Sequence, residues 1–228
     1  MFVEPGDGLE LLIKPSHEEF ETEIFKKEIK KGNIVLDLGA HIGYYTLLAA
    51  RLVGVKGKVF AFEPEPTNFA LLKKNIEINN YQNVIPIQKA VSNENGKGRL
   101  YLKEKKTQNR IYDSQEKDPF IEIETIKLED YIKEKVDFIK MDIEGSEAIA
   151  TRGMIALFQK NQPMKMIIEF YPNLIKKSGE DPLEFLKLLK KYDFSLEKIN
   201  SQDKKLEPVE NLEEISKIED HINLFCKK

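Results

Sequence analysis

Five acidic side chains fall at or near the ends of short apolar runs. Asp37 lies near the end of Ile34-Val35-Leu36-Asp37-Leu38, Glu63 follows Val59-Phe60-Ala61-Phe62, Asp142 closes Asp137-Phe138-Ile139-Lys140-Met141, Glu144 comes two residues later, and Glu169 is near the end of Lys165-Met166-Ile167-Ile168-Glu169-Phe170. A carboxylate in such a place can accept two hydrogen bonds from the vicinal hydroxyls of a ribose, hold a proton as a general base, or give an oxygen ligand to Mg²⁺ or Ca²⁺. Between the first two acids lies Gly39-Ala40-His41-Ile42-Gly43. A glycine turn there lets a ligand approach the backbone closely and sets the free N–H groups of a helix start beside it.

The turn has three residues between its glycines and lacks the middle glycine of G-x-G-x-x-G, which disfavours a dinucleotide pyrophosphate. A ribose-holding Glu63 beside a turn that does not admit a pyrophosphate points to S-adenosylmethionine, with Pro64 bordering the same site. Glu63 has an alternative use as the cap of the helix after Pro64. Asp37 either binds a cofactor amine or steadies the turn. Asp142 and Glu144 read as a general base plus an orienting group or, with Glu169, as ligands of a divalent cation; the plainer reading is a pair of acids complementing a helix dipole. Glu147 divides evenly between this site and surface pairing. His41 either donates to the cofactor or acts as a base, which makes it a catalytic candidate with Asp142 and Glu144. His17 and His221 sit in charged stretches and read as bland. Tyr44, Tyr45 and Phe62 flank the cofactor or fill the core. The polar stretch 103–118, with Asn109, Arg110 and Tyr112, either covers a substrate or is a solvated loop.

The order of elements must bring these residues together. Ser16-His17-Glu18-Glu19 has the form of a capping box opening a helix through Phe20, Ile24, Phe25 and Ile29, ended by Gly32. Strand, glycine turn and helix (44–53) follow, then strand 59–62, helix 68–79 and strand 84–87. An antiparallel excursion spans 99–102 and 121–126. Buried strands resume at 137–142, from which a helix opens at Ile143 toward Arg152, and at 165–170. A helix spans 182–191, and two strands, 194–199 and 222–225, flank a charged loop, 200–220. Strands alternating with helices predict an α/β fold with a doubly wound, mostly parallel sheet, whose ligands sit at the carboxyl ends of the strands.

The 228 residues fit one domain, with an N-terminal extension (1–31), a core (32–172) and a C-terminal part of the sheet (173–228). A 41% hydrophobic content supports a sizeable core and excludes a natively unfolded chain. Net charge is -3, and only four of 36 basic residues are Arg, which makes nucleic acid an unlikely partner. The lone Cys226 forms no internal disulfide, and with no signal-like start and no long apolar run the expectation is a cytoplasmic protein without a membrane span.

VLDLGAHIGYYT (35–46), FEPEP (62–66), KMDIEGSE (140–147) and IIEFYP (167–172) together resemble the FkbM-family methyltransferases, over roughly 21–172 and in consistent order. The resemblance implies the class I methyltransferase fold, a Rossmann-like seven-stranded sheet with its last strand antiparallel. It implies S-adenosylmethionine as cofactor, its methionine part lined by Asp37, Gly39 and Gly43, its ribose held by Glu63 and its adenine bordered by Lys89 and Ala90, with Asp142 over the reactive end. It also implies O-methylation of a hydroxyl on a sugar or secondary metabolite, with Asp142, Glu144 and Glu147 handling the acceptor. The family commonly has Asn where this chain has His41. The Asp-Ile-Glu-Gly ending is unlike the Asn-Pro-Pro-Tyr type that methylates amines, which favours a hydroxyl. The competing readings are a non-catalytic nucleoside-binding protein on the same fold, an RNA methyltransferase and, least favoured, a nicotinamide-dependent oxidoreductase.

Overall fold

Short apolar runs separated by amphipathic segments fold as their periodicities require. The computed structural model describes residues 18–102, 109–111 and 119–228. Helix α1 (Glu19–Glu28) leads to β1 (Ile34–Leu38), α2 (Tyr44–Val53), β2 (Lys58–Phe62), α3 (Pro66–Ile78) and β3 (Val84–Ile87). Next come β4 (Ala90–Ser92), β5 (Gly96–Tyr101), β6 (Phe120–Lys127) and the single-turn α4 (Leu128–Tyr131). The chain continues through β7 (Phe138–Met141), α5 (Glu147–Arg152), α6 (Ile155–Lys160), β8 (Lys165–Phe170), α7 (Pro172–Lys177) and α8 (Pro182–Lys191). It closes with β9 (Ser195–Asn200), β10 (Lys205–Pro208), α9 (Leu212–Ile215) and β11 (Ile222–Lys227).

The main sheet runs β10-β9-β11-β8-β7-β1-β2-β3. From β8 through β3 all neighbours are parallel, while β11 is antiparallel to both β8 and β9. The doubly wound, mostly parallel α/β sheet is therefore as expected. It carries an eighth strand, β10, within the stretch expected as a charged loop. Leu206 gives β10 an apolar contact with the core and pairs with Ile199, which suffices to hold an otherwise charged strand on the edge. The excursion is a separate sheet, β4-β6-β5, whose β5–β6 pairing is antiparallel as expected.

Two helix starts differ from expectation. Ser16 and His17 of the expected capping box lie outside the described residues. The residue before α1 is Glu18, at φ 47 and without a side-chain cap, and the helix stops at Glu28, ahead of Gly32, because Ile29 is already extended. The helix expected from Ile143 begins at Glu147, since Glu144 and Gly145 take left-handed φ of 52 and 92. No α-helix propagates through that geometry.

Side chains alternate across a strand, so parity decides what each helical layer meets. Val35, Val59, Ala61, Phe138 and Ile167 pack with Phe25 of α1, Ala49 and Val53 of α2 and Leu72 of α3. Leu36, Phe60, Ile139, Met141, Ile168 and Phe170 pack on the other face with Phe158, Phe185 and Leu186. Asp37, Lys140 and Glu169 share the parity of the first set. All three therefore project toward α1 and α2, at the carboxyl ends of β1, β7 and β8. No helix of the described residues is long and apolar enough to cross a membrane.

Cys226 is completely buried in β11, and burial pushes its thiol far above its ordinary pKa. A thiol needs access and ionisation to react. Native protein is expected to give no colour with Ellman's reagent over an hour and one equivalent after guanidinium unfolding. Native labelling would mean that β11 opens.

Candidate active site

The glycine turn is shaped by contact with the strand next door. Gly39 has φ 83, and a Cβ there would lie 1.9 Å from the Asp142 carbonyl oxygen. A Cβ on Gly43, at φ 101, would come within 2.8 Å of Leu72. The backbone is thus pressed between the end of β7 and helix α3, as a close-approach turn requires. The Gly39 and Ala40 amides both donate to the Phe62 carbonyl, and Asn75, fully buried on α3, donates to the Ile42 carbonyl at 2.8 Å. His41 has φ 49, a conformation that His and Asn tolerate better than most residues. The backbone alone thus gives a reason for a His at this position, independent of any proton transfer.

Glu63 closes the turn from the other side. Its carboxylate accepts from the His41 amide at 2.8 Å and from the Glu65 amide at 2.9 Å. The cap of α3 is Glu65, which accepts from the Asn68 amide at 2.6 Å, so the alternative use considered for Glu63 is already taken. Burial pushes Glu63 up to about 7, against the lowering effect of the two amides. Pro64 beside it is half-buried.

Asp37, open between two roles at the sequence level, is 3% exposed and accepts from the Thr46 hydroxyl of α2. Burial raises it to about 6. The contact the structure shows is the steadying one. Lys89 and Ala90 lie just past β3: Ala90 is buried in β4, and Lys89 pairs with Glu124 at 2.7 Å.

Next to the turn is an acidic rim around one buried cation. Asp142, Glu144 and Glu169 each offer an oxygen within 4.8 Å of the others, so the structure brings together the three residues named for a divalent cation. Glu147 is buried, and its Oε1 accepts from the Ile143 and Gly145 amides at 3.1 and 3.2 Å. It is neither a surface pairing residue nor a plain helix-start acid, because it fastens the loop that presents Asp142 and Glu144. Burial and the Asp142 charge push Glu144 up to about 8, with Arg110 pulling against them. Burial raises Glu147 to about 7, and burial and Asp142 raise Glu169. Arg110, whose backbone pairs with Tyr101, is near enough to the rim for its charge to act on Glu144. Tyr112, named with it, lies outside the described residues.

Two rim residues were not anticipated. Lys140 is 1% exposed, with its ammonium 3.5 Å from Asp142 and 5.1 Å from the centre of the Tyr45 ring. Burial works against that charge, but Asp142, Glu18, Glu169 and Asp37 outweigh it, so the net shift of Lys140 is upward. The signal was present as a lysine inside an otherwise apolar run. His221, expected to be bland, leads into β11 with Nε2 3.9 Å from Glu169 and Nδ1 3.0 Å from Asp220. Antiparallel pairing of β11 with β8 carries it to the rim, which a local charge pattern does not show. Tyr44 and Tyr45 serve α1: Tyr45 donates to Glu18 at 2.7 Å, and the Tyr44 and Thr22 hydroxyls are 3.3 Å apart. Phe62 is core.

A model of the methyltransferase FkbM domain matches residues 37–196 of this chain. The chain belongs to that family. The family is one of S-adenosylmethionine-dependent methyltransferases and does not by itself fix the acceptor. Methyltransferase 1 of Beauveria bassiana is 25% identical over 146 residues, covering 54% of this chain and 58% of that relative, so the match spans little more than half of the longer protein. Among solved structures, an FkbM methyltransferase from Methylobacillus flagellatus superposes with a TM-score of 0.53 and 16% identity, over 90% of this chain and 50% of that one. A protein from Streptococcus mutans described as a methyltransferase, solved in complex with SAH, superposes at 0.55 with 13% identity, over 94% and 99% of the two chains. At such identities these two likenesses concern the fold.

The residues fit the cofactor, because Glu63, beside the glycine turn, retains lone pairs beyond its two amides. Gly39→Ala is expected to cost about 3 kcal/mol and to lower the melting temperature by roughly 6–12 °C, with loss of cofactor binding; a melt within 2 °C of wild type would show that the turn is not pinned on Asp142. For Glu63 the folded value lies above the unfolded one. Its linked stability is therefore complete below about 4.5 and lost as pH rises through about 7, roughly 3 kcal/mol at most. Glu63→Gln should flatten that part of the ligand-free stability curve between pH 4.5 and 8 and weaken S-adenosylmethionine binding at least tenfold. Thermal melts at the two pH values, with and without ligand, check both.

Proposed function

We propose that this methyltransferase acts on a hydroxyl oxygen of a small-molecule acceptor, a sugar or another secondary metabolite, and that Asp142 or Glu144 takes or orients the hydroxyl proton. The observation that carries the reading is the rim itself, where Asp142 lies 3.5 Å from the Lys140 ammonium and Glu144 follows on a loop fastened by Glu147. In this reading Gly39, His41 and Gly43 lend the cradle their backbone, Glu63 and Pro64 border the ribose, Asp37 steadies the turn through Thr46, and Lys89 and Ala90 border the adenine. S-adenosylmethionine supplies an electrophilic methyl on a sulfonium leaving group.

The protein's part is alignment and electrostatics. A hydroxyl is a weak nucleophile, and a carboxylate held near pH 8, as burial holds Glu144, is a stronger proton acceptor than an ordinary one. Glu169 and His221 form the far wall of the same rim. Nothing in that set calls for an amine. In a second version a divalent cation on Asp142, Glu144 and Glu169 polarises the hydroxyl. The metal-free version is favoured, since Lys140 already places a cation 3.5 Å from Asp142.

The test is a panel of sugars, polyols, hydroxylated polyketides, amines and RNA incubated with methyl-labelled S-adenosylmethionine. Methyl ether products are expected from a hydroxylated small molecule alone, surviving exhaustive EDTA treatment. With that acceptor, Asp142→Asn or Glu144→Gln should lower turnover roughly 10²- to 10⁴-fold, with SAH affinity within about threefold of wild type. Label found only on amines or RNA overturns the acceptor class. Activity lost to EDTA and restored by Mg²⁺ selects the metal version.

A further inference from the structure

Lys140 occupies a place where an ammonium is costly unless its charge is used. It is the second-to-last residue of β7, flanked by Asp37 of β1 in strand register and by β8 on the other side. Its side chain is 2% exposed and has Asp142 at 3.5 Å, the Tyr45 ring face at 5.1 Å and the charges of Glu18, Glu169 and Asp37 around it. A methionine would fill a strand position of this kind without any desolvation cost. Two of the carboxylates it faces, Asp142 and Glu169, belong to the rim, and Asp142 is also the residue on whose carbonyl the Gly39 turn rests.

The methyl donor is cationic at sulfur, and the product SAH is neutral there. An acidic rim with no fixed cation would hold the donor more tightly than the product. Binding spent that way stabilises the ground state and raises the barrier to transfer. We propose that Lys140 is a positioning residue that sets the charge of the rim, offsetting Asp142 and Asp37 so that the site does not favour the sulfonium over the neutral thioether. The inference rests on the reading that places the cofactor beside the Gly39–Gly43 turn, within reach of the Asp142 side chain. It assigns Lys140 no contact with substrate.

The test needs no acceptor. Calorimetry at pH 8 with S-adenosylmethionine and SAH, on wild type, Lys140→Met and Lys140→Arg, gives the ratio of the two affinities. Wild type should bind the two within about threefold. A unit charge at about 10 Å and an effective dielectric near 20 changes a cation's affinity by roughly tenfold. Lys140→Met should therefore shift the ratio toward S-adenosylmethionine by roughly tenfold while SAH affinity stays within about threefold, and Lys140→Arg should restore it. A structural role would weaken both ligands equally and leave the ratio alone, which overturns the proposal. A wild-type preference for S-adenosylmethionine above about 30-fold overturns it as well, even if Lys140→Met does not fold. Failure of wild type to bind either ligand would instead remove the cofactor reading on which the proposal stands.

Discussion

At residue 39 a side chain would place its first carbon 1.9 Å from the carbonyl oxygen of Asp142, and most of the site follows from that contact. It requires β1 and β7 to be adjacent and parallel, with Leu38 in register with Met141, so that both strands end at the same height. It requires the turn to fold back over the sheet, which puts the Gly39 and Ala40 amides on the Phe62 carbonyl of β2. Glu63 then arrives directly beneath His41 and accepts its amide. One close approach of two backbones thus fixes the cradle, the carboxylate beside it and the start of the acidic loop, and α3 locks the arrangement through Asn75 and Leu72.

Such a rim is electrostatically expensive. Asp37, Glu63, Glu144 and Glu147 are all raised by burial, three of them to about 7 or below and Glu144 to about 8. Backbone amides meet part of the cost at Glu63 and Glu147, a hydroxyl at Asp37 and an ammonium at Asp142. Asp37, Glu63, Asp142 and Glu147 each have a compensating partner of their own. Where that partner is backbone, the acid also sets geometry: Glu63 holds the turn and Glu147 holds the loop. Stability and site shape are set by the same hydrogen bonds.

Much of this was legible in the sequence because buried parallel strands read as unbroken apolar runs. The 34–38, 84–87 and 165–170 runs match observed strands, and helices 44–53 and 182–191 match their elements. The acids were legible because a charge at the end of such a run stands out. What escaped was information that exists only between strands. β10 is too short and too charged to show a period, and its stability comes from β9. The 143–146 segment carries a poor helix former in Gly145, and the capture of the Ile143 and Gly145 amides by Glu147 holds it as a loop.

Lys140 and His221 show the same limit from opposite directions. Lys140 was visible as an anomaly in an apolar run, yet its meaning depends on Asp37 across the sheet, Glu169 on the next strand and Tyr45 on α2, none of which is near it in sequence. His221 was visible only as one charge among several, and the antiparallel return of β11 carries it to within 3.9 Å of Glu169. Parity along a strand fixes which face a side chain takes; register between strands fixes whom it meets. The acids at the rim share a face because of the first. They become a single charged site, with one ammonium at its centre, because of the second.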